Sequence, residues 1–106
     1  MKVSAVVVSH GHAVELARTL PALVAQVDET LVLANLPSSI DEVPAAVRVL
    51  ENPRPLTLSA NVNLGVAATS GEYVLVSNPD AFAKPGAVAA LVGFADAHAR
   101  CGIAGP

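Results

Sequence analysis

Val3 to Ser9 reads Val-Ser-Ala-Val-Val-Val-Ser, a short run of β-branched and small residues without a regular apolar–polar alternation. A strand with one wet face alternates, whereas a strand covered on both faces need not. This segment is the candidate central strand of a parallel sheet. Parallel neighbours are joined by long crossovers, usually helices, so the chain is expected to alternate strand and helix.

The rest of the sequence supplies that alternation. From Ala13 onward, Leu16, Leu20, Leu23, Val24 and Val27 recur at spacings of three and four, which predicts a helix with one buried face. Pro21 falls inside it and predicts a kink or a division, because the ring removes a backbone donor. Residues 31–34 and 47–50 are further apolar runs, separated by a loop over 36–44 with one helical turn expected near Asp41. A second helix is predicted over residues 59–70, with Val62 and Val66 on one side and Gly71 as a left-handed cap. Residues 73–77 form a fourth strand. Pro85 is expected in the first turn of a last helix, with Val88, Leu91, Val92 and Ala95 as its buried stripe and Gly102 as its stop.

This order predicts one α/β domain over residues 1–106: a Rossmann-like three-layer sandwich with a mainly parallel sheet and right-handed crossovers. In such a sheet the ligand lies at the carboxyl ends of the strands.

Composition narrows the partners. Only six residues are Lys or Arg, they are scattered, and the net charge is -3, which gives no electrostatic footprint for nucleic acid. The lone Cys101 forbids an internal disulfide and fits a reducing compartment. No apolar run approaches the roughly 20 residues that span a bilayer, so a cytoplasmic protein without a transmembrane segment is expected. With 53% of the residues hydrophobic and 14% charged, some of the surface is expected to meet a partner.

The most informative chemistry lies in residues 71–80, where Gly-Glu-Tyr-Val-Leu-Val-Ser sends an apolar strand into Asn78-Pro79-Asp80. An Asp at the carboxyl end of a parallel strand offers oxygen to a hard divalent cation such as Mg²⁺ or Mn²⁺, which in turn holds a diphosphate. The same three residues also make a good turn, since Asn and Asp hydrogen-bond their own backbone and Pro fixes φ. Spacing alone leaves both readings open. His10 and His12 could share a metal, but no Cys or acidic partner has suitable spacing. Ser9 and His10 are adjacent, so on a strand their side chains point to opposite faces and cannot form a nucleophile–base pair. There is no Gly-rich phosphate loop, Gly11 being the only glycine before position 65.

Asn-Pro-Asp after an apolar strand resembles the metal-binding motif of family 2 glycosyltransferases, which have a GT-A fold. Val-Val-Val-Ser-His-Gly at residues 6–11 is similar to that family's opening strand and base-binding turn. Glu51-Asn52-Pro53-Arg54-Pro55 and Ser59-Ala60-Asn61-Val62-Asn63-Leu64-Gly65 resemble its middle segment, so the likeness runs in order along the chain. The resemblance implies transfer of a sugar from a nucleotide-diphosphate donor to an acceptor hydroxyl. It implies that Asp80 coordinates the metal, that Asn78 lies near the ribose, that Ser9 and His10 border the nucleoside, and that Asn35 belongs to the donor site.

Two positions depart from the family pattern. Ala34-Asn35 stands where Asp-Asn is common, which removes a base-recognising carboxylate, and Thr57-Leu58 replaces a common Gly-Phe. The family's general base and acceptor loops normally lie beyond the point matching Pro106, so a donor-binding half of a GT-A domain is expected, with no catalytic residue assigned. The rival reading is a non-catalytic dimeric module that binds nucleotide or another partner, pairing through the fourth strand or residues 102–106. A nucleotidyltransferase is a third reading, disfavoured by the missing Gly-rich or basic phosphate segment.

Overall fold

The computed structural model describes residues 2–40 and 42–105. Seven elements follow in the order β1 (Val3–Ser9), α1 (Ala13–Val24), β2 (Glu29–Ala34), β3 (Val47–Glu51), α2 (Leu58–Ala68), β4 (Tyr73–Ser77) and α3 (Ala87–Ala97). The four strands form one sheet in the order β3-β2-β1-β4, and every pairing is parallel. The Rossmann-like α/β sandwich expected from the sequence is the observed architecture.

β1 is central, as its composition requires. Ala5 and Val7 point to one face, where they meet Leu16, Leu20 and Leu23 of α1 and Val32 of β2. Val6 points to the other face with Leu31 and Leu33, towards Ala68 of α2. Val6, Leu31 and Val32 are completely buried.

The helix α1 is not divided at Pro21 but runs through it and ends at Val24. Pro21 is exposed, and the carbonyl deprived of its donor belongs to Ala17, also exposed and so open to solvent. In α2 the buried face is Asn61 and Gly65, and Val66 is 45% exposed, contrary to the Val62–Val66 expectation. A helix can lie this close to a sheet only through a small residue: a Cβ on Gly65 would collide with Val6 Cγ1 and reach Leu33 Cδ2 at 3.3 Å.

Gly71 does not cap α2, because the helix ends earlier, at Thr69, in an extended conformation. Its requirement for glycine is steric, since a Cβ would lie 2.6 Å from the Ser4 backbone nitrogen. Pro85 likewise precedes its helix. Lys84 O accepts from Ala87 N at 3.0 Å across Pro85 and Gly86, whose φ of 83° makes this a type II turn. Its helix stops at Ala97 rather than near Gly102, where His98 Nδ1 donates to Phe94 O at 2.8 Å. Val88 is buried, while Leu91, Val92 and Ala95 are half-buried along a groove of about 330 Å³ beside β4. The helical turn expected near Asp41 falls on a residue outside those described.

An ionic staple closes the amino end of the sheet. Glu29 accepts from Ser4 Oγ at 2.6 Å, from Ser70 N at 3.0 Å and from Arg48 Nη2 at 3.0 Å. Arg48 also donates to Ala68 O at 2.6 Å, placing a cation on the carbonyl end of α2. Among the described residues no helix is long and apolar enough to cross a membrane.

Candidate functional site

The strand order creates a switch point. The chain steps outward from β1 to β2 and β3, and α2 then carries it back to β4 on the other side of β1. α1 and α2 cover opposite faces, so the connections diverge and a crevice opens beyond the carboxyl ends of β1 and β4.

A cleft of about 500 Å³ occupies that crevice. His10 and His12 reach it from the turn after β1, Asn35 from the end of β2, and Asn78, Pro79 and Asp80 from the turn after β4. Leu56, Leu58 and Asn61 close the third side. Four of the five residues selected from sequence, His10, Asn35, Asn78 and Asp80, thus line one cavity. Ser9 does not: it is fully buried, and its Oγ accepts from His12 N at 3.3 Å, holding the turn from below.

Two side chains, Thr19 of α1 and Gln26 just beyond its end, hold the turn after β4. Thr19 Oγ1 donates to Pro79 O at 2.7 Å, a buried contact, and Gln26 Nε2 donates to Lys84 O at 2.9 Å. Gln26 Oε1 accepts from Val88 N at 3.1 Å, so one side chain grips both ends of the passage into α3. Asp80 itself is exposed on the cleft rim.

Beneath the cleft lie three buried asparagines: Asn35 just after β2, Asn52 just after β3 and Asn61 in α2. Asn35 Oδ1 accepts from Asn52 Nδ2 at 3.0 Å, Asn61 Nδ2 at 3.0 Å and Leu56 N at 2.8 Å. Asn52 Nδ2 also donates to Asn61 Oδ1 at 2.6 Å, and Asn61 Nδ2 to Thr57 O at 3.0 Å. No buried side-chain polar atom among the described residues lacks a partner, so the cluster is complete, and a satisfied buried network makes one arrangement strongly preferred.

Sequence reading gave Asn52 and Asn61 no separate role. The α2 pattern gave no signal for Asn61, since it assigned the sheet-facing side to Val62 and Val66 rather than to Asn61 and Gly65. The Thr57-Leu58 departure also has a structural account. Thr57 is the N-cap of α2, its Oγ1 accepting from Ala60 N at 3.2 Å, and Leu58, 66% exposed, offers an apolar rim to the cleft. Ala34, the other departure, is 1% exposed at the end of β2.

A parallel sheet that reverses its winding beside β1, with imidazole, amide and carboxylate groups gathered at that point, defines a Rossmann-like α/β protein with its crevice at the switch point. Residues 4–105 match the model of glycosyl transferase family 2, and the chain belongs to that family.

Solved structures agree on the fold. S. aureus TarS 1-349 superposes with a TM-score of 0.74 at 16% identity, covering 100% of this chain and 38% of that one. The same fragment in complex with UDP-GlcNAc gives 0.71 at 15% identity, covering 37% of its length. S. aureus TarS gives 0.70 at 16%, with 23% of its length covered. The chain thus spans well under half of each of these structures. No curated protein matches it by sequence.

Proposed function

We propose that this chain holds the nucleotide-diphosphate sugar donor of a family 2 glycosyl transfer reaction, in the cleft between the ends of β1 and β4. The observation that carries the reading is the convergence there of His10, Asn35, Asn78 and Asp80 in a chain of that family. The UDP-GlcNAc bound to S. aureus TarS makes a uridine diphosphate sugar the first donor to test.

Each part of the cleft suits a part of such a ligand. Leu56 and Leu58 give an apolar wall for a planar base, and the two imidazoles give polar edges. Asn78 and Asp80 bring oxygen atoms to the diphosphate side. None of the described residues lining the cleft is Lys or Arg, so a diphosphate beside the Asp80 carboxylate needs a cation from solution.

The donor set fits Mg²⁺ or Mn²⁺. Among the described residues there is no cluster of three or more His, Cys, Asp or Glu side chains, but such ions are commonly held by one or two carboxylates with the ligand's own phosphates completing the shell. Asp80 would hold the cation with Asn78 beside it. When bound, the cation would neutralise charge on the departing diphosphate. Sugar transfer also needs an acceptor site and a base, and no residue of this chain is assigned to either.

Calorimetry with Mn²⁺ and a panel of nucleoside diphosphates tests the reading. Binding that needs the metal, and that Asp80→Ala abolishes, is expected; absence of binding across the panel would refute it.

A second reading rests on the sheet edge. β4 has one neighbour, β1, and Val76 beside the groove is 50% exposed. Unpaired edges and apolar grooves favour pairing, so self-association through β4 or residues 102–105, as a homodimer, is the rival role. Sedimentation over a concentration series decides it, since a monomer at high micromolar concentration leaves only the first reading.

A further inference from the structure

Asn35 lines the cleft, yet its amide has no capacity left for a ligand. Leu56 N can only donate and Leu56 O can only accept, so the contacts from Leu56 N to Oδ1 at 2.8 Å and from Nδ2 to Leu56 O at 3.1 Å fix which way the amide points. Oδ1 is filled by three donors. One Nδ2 hydrogen goes to Leu56 O, and the other faces His10 Nδ1 at 3.0 Å.

An amide nitrogen cannot accept, so His10 Nδ1 must. The ring proton of neutral His10 then sits on Nε2, the nitrogen on the far side of the ring. His12 is set the same way by another partner, its Nδ1 accepting from His10 N at 3.0 Å. Both imidazoles, which line the cleft, therefore carry the proton of the neutral ring on Nε2.

From this geometry we infer that Asn35 is a positioning residue: it fixes the tautomer and ring orientation of His10, and through them selects a ligand atom that accepts a hydrogen bond, a base carbonyl or phosphate oxygen. The buried partners Asn52 and Asn61 keep the Asn35 amide from turning over. The ligand half of the inference rests on the donor-binding reading above; the tautomer half does not.

The test is long-range ¹H–¹⁵N spectroscopy of the imidazole rings in the ligand-free chain at neutral pH, with His10 assigned through a His10→Gln variant. Wild type is expected to show a single His10 tautomer with bare Nδ1. Asn35→Asp is nearly isosteric but presents an acceptor to the ring, and is expected to move the proton to Nδ1. A wild-type ring showing the tautomer mixture of free histidine, or a ring unaltered by Asn35→Asp in a chain whose amide spectrum remains folded, overturns the inference. Should Asn35→Asp fail to fold, the wild-type spectrum decides alone. Where wild type binds uridine diphosphate with Mg²⁺, Asn35→Asp is expected to weaken binding about tenfold, the scale of one hydrogen bond. Undiminished affinity in the variant would overturn the ligand half, while failure of wild type to bind would sink the donor-binding reading and leave the ring spectra to judge Asn35.

Discussion

The side-chain amide of Asn35 pairs with both backbone polar groups of Leu56, as one strand would pair with another: Oδ1 accepts from N at 2.8 Å and Nδ2 donates to O at 3.1 Å. Residues 53–57 have no ladder of their own, and this pair substitutes for one. The Leu56 side of the cleft is held by this one amide just after β2 and by the Asn61 Nδ2 bond to Thr57 O.

Asn61→Ala should expose the cost of disturbing that arrangement. It strips an acceptor from Asn52 and a donor from Asn35 and Thr57 O, in a site with no exposure to water. A loss of about 1–3 kcal/mol is expected, larger than the helix-propensity gain of an alanine. Urea denaturation measures it, and an unchanged midpoint would mean that the cluster is dispensable.

Thr57→Ala removes the side-chain N-cap of α2 and should cost about 1 kcal/mol, while Thr57→Ser should retain most of it. Thermal melts of the three proteins suffice. Equal melting temperatures for all would show that α2 is held by packing alone.

Gly65→Ala sets two effects against each other. Alanine favours a helix by about 1 kcal/mol over glycine, but here its methyl would fall on Val6 Cγ1, and overpacking costs about 1–3 kcal/mol. Net destabilisation is expected. Combining it with Val6→Ala, which clears the space, should lose less than the sum of the two single changes.

Glu29 supplies the acid sensitivity. The Ser4 hydroxyl first, then the Ser70 amide, hold its carboxyl below the 4.5 of an unperturbed glutamate. A carboxyl depressed by folding adds stability that is complete above the unfolded value and is lost as pH falls through the folded one. Stability should decline as pH drops below about 4.5, and Glu29→Gln should show a shallower decline over that window. Parallel pH dependences for the two proteins would assign the acid response elsewhere.

The layers of the fold were legible because burial writes itself into composition: Val3–Ser9 could only be a strand covered on both sides, and Leu16, Leu20 and Leu23 could only face it. The strand running into Asn78-Pro79-Asp80 marked one wall of the cleft in the same way. What the sequence concealed depends on distances between segments. Gly71 reads as a cap until Ser4 is seen beneath it, and no spacing shows that Val6 lies beneath Gly65. Asn35, Asn52 and Asn61 are far apart along the chain, and no spacing rule joins an amide to two others across a sheet. Asn35 was singled out from the sequence and lines the cleft; that its hydrogen bonds are all spent inside the protein was not legible.

The grip of α1 on the segment after β4 has a consequence for timing. A surface loop ordinarily exchanges its amide protons with water through its own small openings, but residues 79–88 are held by Thr19 of α1 and by Gln26 just beyond it, and can open widely only if those bonds break. The Val88 amide should then exchange with deuterium at a rate set by the opening of the segment around Gln26, just after α1. Asp80 would meet its ligand already in place, with little ordering left to oppose binding.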